Sequence, residues 1–195
     1  MRVTLTAAMS AALVAVSLAL PAAQSNMAAP EKFTAFAVDI SNTAPRASTS
    51  SVDITINRWS TDAERDQLLS VFREKGQDAL LSALQKLPVV GGLNTPGSLR
   101  YDVHFARQKP DAEGGRMIFL MTDRYVTAWE AAHRPRTIDY PFTLFEIRVN
   151  KDGEGEGKLA YATKIHFDKE KKIVEIENYS SEPVRLQHVK VKVKS

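Results

Sequence analysis

The sequence predicts an α+β fold that is mainly antiparallel β: an eight- or nine-stranded sandwich or barrel with a two-helix insertion after the second strand. Three observations carry this expectation. Apolar and polar residues alternate along most of the chain, so one side of each strand is buried and the other is wet. The period switches to a helical one between about residues 61 and 87. Short turns join consecutive strands, which favours antiparallel pairing, because a parallel crossover needs about a dozen residues or more.

The first strand is expected at 33–40, with Phe36, Val38 and Ile40 on one face. A turn-rich spacer at 41–50 leads to a second strand at 52–57, where Val52, Ile54 and Ile56 alternate with Asp53, Thr55 and Asn57. Thr61-Asp62-Ala63-Glu64 then has capping-box spacing: the Thr hydroxyl accepts from the N3 amide while Glu64 reaches back. Leu68, Leu69 and Phe72 form a helical stripe, and Gly76 suits the end of that helix. Leu80, Leu81, Leu84 and Leu87 form a second stripe that Pro88 stops. These stripes are too apolar for helices standing alone in water, so the pair is expected to cover the sheet. Residues 89–97 read as a loop.

The remainder reads as β. Leu99, Tyr101, Val103 and Phe105 alternate along a strand at 99–106, and a Pro, Asp and Gly-rich turn follows at 109–115. Residues 117–121 are apolar throughout, which predicts a strand covered on both faces. A weaker strand or short helix is expected at 125–131, before His133-Arg134-Pro135-Arg136 breaks the pattern. Strands at 142–149 and 159–167 flank a Gly-rich acidic connection at 150–157, and two more follow at 173–177 and 184–193. In the last strand Lys190, Lys192 and Lys194 share one face, a pattern that blocks edge-to-edge association.

Composition divides the chain into a signal peptide at 1–25, a flexible leader at 26–31 and a single β-rich domain at 32–195. Arg2 precedes an apolar run at 7–20 interrupted by Ser10 and Ser17, Pro21 breaks it, and Ala23-Gln24-Ser25 fits the small-x-small cleavage rule. The run is shorter than the roughly 20 apolar residues that span a bilayer. The mature chain is therefore expected to begin at Asn26, without a transmembrane segment, in the periplasm or outside a bacterial cell. The chain has no cysteine, which excludes disulfides, thiolate catalysis, Cys-ligated metals and lipid attachment at Cys. Its 26 Lys and Arg against 23 Asp and Glu show no dense basic face, and no nucleic-acid partner is expected.

Motifs for chemistry are weak. The 150–157 connection alternates oxygen ligands as a calcium loop does, but Tyr161 stands where a bidentate Glu is required, so a plain hairpin is expected. The histidines at 104, 133, 166 and 188 include no i, i+2 or i, i+4 pair, and neither a metal nor a cofactor is expected. Ser98 follows Gly97 but no Gly stands at 100, so no nucleophile elbow is formed. Gly91-Gly92 is not followed by the Lys-Ser/Thr of a phosphate loop. Asp102, Asp123, Glu130, Asp139 and Glu146 are the carboxylates available to a hydrolase.

The candidate binding surface is Arg124, Trp129, His133, Arg134, Arg136 and Tyr140. Arg presents a planar fork to carboxylate or phosphate, and the aromatics add stacking. The alternative is a loop whose arginines pair with Asp123, Glu130 and Asp139.

The stretches Arg100-Tyr101-Asp102-Val103-His104-Phe105-Ala106-Arg107, Thr122-Asp123-Arg124 and Asp139-Tyr140-Pro141-Phe142-Thr143-Leu144-Phe145-Glu146 resemble those of a group of exported bacterial proteins without an assigned activity. With the 150–159 segment and Glu177-Asn178-Tyr179, the resemblance covers about residues 58–192 and implies no mechanism. The expected function is a non-catalytic binding or accessory protein. Its ligand is either a small molecule held between sheet and helices or a protein partner at the Arg-rich loop. The alternatives are a carboxylate-dependent hydrolase using His104 and a structural envelope protein.

Overall fold

The computed structural model describes residues 30–39, 48–97, 100–111, 113–123, 140–168, 170, 173–178 and 184–192. The expected signal peptide, most of the expected leader and the element expected at 125–131 lie outside them. Within the described residues the chain runs β1 (Glu31–Asp39), β2 (Ser48–Ile56), α1 (Asp62–Lys75), α2 (Gln77–Lys86), β3 (Gly91–Asn94), β4 (Tyr101–Val103) and β5 (Phe105–Pro110). It continues with β6 (Arg116–Thr122), β7 (Phe142–Val149), β8 (Glu154–Asp168), β9 (Ile173–Asn178) and β10 (Val184–Lys192). The fold is α+β, mostly antiparallel sheet with two helices inserted after the second strand.

One sheet contains all ten described strands, in the order β4-β3-β2-β1-β10-β8-β7-β6-β5, with β9 paired to β8. That is more than the eight or nine expected, for two reasons. The 89–97 segment, expected as a loop, holds β3. Its Gly91 and Gly92 form a strand because they bring backbones close: a Cβ on Gly91 would meet the Thr55 carbonyl oxygen at 2.3 Å. The strand expected at 99–106 divides at His104 into β4 and β5.

The sheet is not closed into a barrel. Its two end strands, β4 and β5, follow one another along the chain instead of pairing side by side. It does curl strongly. Arg116 on β6 pairs with Glu31 on β1, Nη1 to Oε1 at 3.0 Å, although three strands separate β6 from β1 in the hydrogen-bonded order. The concave side holds one core to which β1–β8 and β10 all contribute, with Ile54, Leu93, Ile118, Ile147, Leu159 and Leu186 at its centre.

Two expectations about strand faces are corrected. In β1 the buried side is Phe33, Ala35 and Ala37, while Phe36 is 49% exposed and Val38 half-buried. Small alanines suit the concave face, where side chains from neighbouring strands converge. The lysine-bearing strand β10 is not an edge: it lies between β1 and β8. Pairing of the first and last strands moves it inside the sheet. Lys190 there bonds Glu154 at 3.0 Å, and Lys192 lies opposite Lys32.

The helices form as their local signals dictate. Thr61 Oγ1 accepts from the Glu64 amide at 3.0 Å, and the Glu64 carboxylate accepts from the Thr61 amide at 2.7 Å. Gly76, at φ 81°, turns the chain from α1 to α2. Leu68, Phe72, Leu80 and Leu84 are buried with Phe142 and Ile165, forming a second core on the convex side of the sheet.

Candidate ligand-binding groove

The convex face of β5–β8 carries an apolar row that ordinary alternation would make polar. Register places Phe105 opposite Met121, Met121 opposite Leu144, and Leu144 opposite Ala160. Two residues along, the same face presents Arg107, Phe119, Glu146 and Lys158 in a second cross-strand row. The sheet therefore has apolar surface on both sides here, with Ala106, Leu120 and Phe145 pointing into the concave core. The both-face cover expected for 117–121 is only partial: Ile118 and Leu120 are buried, whereas Met117, Phe119 and Met121 are half-buried.

Several polar bonds fix the helices over this face, each near an end of a helix. The Ser60 amide donates to the Ala106 carbonyl at 2.7 Å, and the Ala106 amide donates to Ser60 Oγ at 3.0 Å. Arg107 pairs with Asp62 at 2.9 Å. At the start of α2, Gln77 Oε1 accepts from the Ile165 amide at 2.8 Å. At its end, Gln85 Nε2 donates to Asp123 at 3.3 Å, and His104 Nδ1 donates to the Leu87 carbonyl at 3.0 Å. Anchored at these points, α2 lies closest to β8, and α1 leans on α2. A groove of about 380 Å³ remains between α1 and the sheet. Leu68, Leu69 and Phe72 form its helical wall, the apolar row its floor, and Ile165 and Ile176 one end. Ile176 is 56% exposed at that end.

Charge gathers at the mouth, where Arg65, Glu146 and Lys158 line the groove. Arg65 bonds Asp66 at 2.8 Å and Asp62 at 3.2 Å, and the Asp66 hydrogen bond raises its already high pKa. Glu146 accepts from Arg148 at 3.3 Å. At the start of α1, Arg58 bonds Glu64 at 2.7 Å. That hydrogen bond pulls the Glu64 carboxyl below its ordinary range, helped by the Thr61 amide and opposed by burial.

His104, the histidine assigned to the hydrolase alternative, ties helix to sheet. A carbonyl oxygen only accepts, so the bond to Leu87 places a proton on Nδ1. Its Nε2 stands 3.9 Å from Asp123 Oδ1. Asp102 lies beside Arg100 at 3.9 Å, while Glu130 and Asp139 are outside the described residues. Among the described residues no group of three His, Asp or Glu side chains is placed to hold a metal.

Of the predicted binding residues, Arg124, Trp129, His133, Arg134 and Arg136 lie outside the described residues. Tyr140 is described: its hydroxyl donates to Glu177 Oε1 at 2.7 Å, one residue along β9 from Ile176. Phe105, Phe119, Met121, Leu144 and Ile176 were missed as site residues. The signal for Phe119 and Met121 was present in the unbroken apolar run at 117–121, and for Leu144 in its being out of phase with Phe145, Ile147 and Val149; Phe105 changes face only because the strand divides at His104. Comparison with known proteins finds no matching family model, curated protein or solved structure.

Proposed function

We propose that this chain is an exported, non-catalytic binding protein whose ligand is a small apolar molecule seated between α1 and the convex face of β5–β9. The observation that carries this reading is the apolar floor of Phe105, Met121, Leu144 and Ala160, facing Leu68, Leu69 and Phe72 of α1 across a groove of about 380 Å³. A volume of about 380 Å³ falls within the roughly 300–1,000 Å³ usual for small-molecule sites. An apolar lining with a few polar groups at the mouth is the usual composition of such sites. The test is titration with a neutral, polarity-sensitive fluorophore against the wild type and Ala160→Trp, which fills the groove floor from a half-buried position. Saturable enhancement in the wild type that is lost in Ala160→Trp is expected. Equal enhancement in both proteins, or none in either, overturns the reading.

A further inference from the structure

We infer that the groove is built for a single-chain amphiphile with an anionic head, such as a long-chain carboxylate, whose tail lies along the apolar floor and whose head meets Lys158 and Arg185. This rests on the groove being a ligand site and adds the class of ligand and its orientation. The argument comes from the order of charges across the convex face. Lys158 lines the mouth on β8, with Glu146 opposite it on β7 and Arg185 opposite it on β10. Of these, Glu146 is turned to Arg148: its Oε1 accepts from both Nε and Nη2 of Arg148 at 3.3 Å. Among the described residues, Lys158 and Arg185 have no carboxylate at ion-pair distance.

Two like charges directly opposite across strands destabilise a sheet. An anion between them removes that repulsion and gains two charge-assisted contacts. The other cation at the mouth, Arg65, already has its charge balanced by Asp62 at 3.2 Å and Asp66 at 2.8 Å. The head is thereby placed at the β8–β10 side. From there the floor runs through Ala160 and Leu144 to Met121 and Phe105, a linear apolar track four strands wide. A volume of about 380 Å³ lies toward the small end of the usual range and suits one chain better than a two-chain lipid.

The experiment compares dodecanoate, dodecanol and dodecylammonium by titration calorimetry against the purified wild type and the Lys158→Gln/Arg185→Gln double variant. Both substituted side chains are exposed, so the variant is expected to melt with the wild type. In the wild type dodecanoate should bind about tenfold tighter than dodecanol, the scale of one or two charge-assisted hydrogen bonds. Dodecylammonium should bind weakest. The carboxylate preference should shrink with added salt and fall to about one in the double variant. Equal binding of dodecanoate and dodecanol to the wild type overturns the anionic head and leaves the groove reading standing. So does a preference that survives in the double variant. Failure of all three probes, or a dimer of this chain that excludes them, overturns the groove reading and this inference together.

Discussion

Gln77 and Ile165 are joined by a hydrogen bond of 2.8 Å from the Ile165 backbone amide to the Gln77 side-chain carbonyl. The bond meets a local need of the sheet. β7 pairs with β8 no further along than Thr163, opposite Phe142, so beyond it the neighbour of β8 among the described strands is β9. Gln77, the first residue of α2, supplies the acceptor that the Ile165 amide lacks. The helical pair is therefore tied to the sheet where the second core begins, and the groove opens beside the tie.

Gln77→Ala should lower stability by about 1–2 kcal/mol, because it leaves a buried amide without its acceptor. Hydrogen exchange at the Ile165 amide should accelerate more than at Ile147, which lies in the middle of the β6–β7–β8 ladder. Equal acceleration at both would show that the substitution lowers global stability without releasing the helices locally.

Acid should weaken the N-terminus of α1. The carboxyl of Glu64 is lowered in the fold, mainly by the hydrogen bond from Arg58. A lowered carboxyl contributes stability at and above its ordinary range and loses it as pH falls through the lowered value. Glu64→Gln should cost about 1 kcal/mol or less at neutral pH, since the Arg58 side chain remains partly exposed. It should also flatten the fall in melting temperature below the usual carboxylate range. Thr61→Ala should cost about 1 kcal/mol at neutral pH through loss of the N-cap. Denaturant melts across pH check both.

Gly155→Ala should be severe. Its Cβ would stand 1.8 Å from the Arg148 carbonyl oxygen, backbone of the neighbouring strand. The strands must separate or slip, and a loss above about 4 kcal/mol is expected. Gly114→Ala is the control: at φ +82° it is conformationally strained, but nothing lies within 4 Å. It should cost about 1–2 kcal/mol. Urea titration of the two variants separates steric exclusion from backbone strain.

Local signals were legible in the sequence, and pairings between distant segments were not. The capping box at Thr61 and Glu64 reads directly from spacing because all its atoms lie within one turn. The alternation of Val52, Ile54 and Ile56 reads as directly, and all three are buried. Gly91-Gly92 misled, since glycine marks both loops and strands that approach closely, and only the Thr55 backbone tells them apart. The central place of β10 depends on its meeting β1 some 150 residues earlier, which periodicity does not encode. The face of β1 misled because Phe36 and Val38 are larger than the buried Ala35 and Ala37; size pointed one way and curvature the other. The groove escaped notice because its residues come from five strands and two helices, and register alone brings them together.

The export reading is checked at the N-terminus. Mass analysis of the protein recovered from its own cells should place the first residue within a few positions of Asn26. Recovery with Met1 or Arg2 retained would contradict it.

The location of the ligand is the central claim, and photo-crosslinking reads location directly. A dodecanoyl probe with a diazirine at mid-chain, irradiated with the purified protein and mapped by peptide mass spectrometry, should label Leu69, Phe119, Leu144 or Ile176, all of which line the groove. Excess dodecanoate should suppress that labelling. Labelling spread over the surface, or confined to β2 and β3 away from α1, would contradict the account.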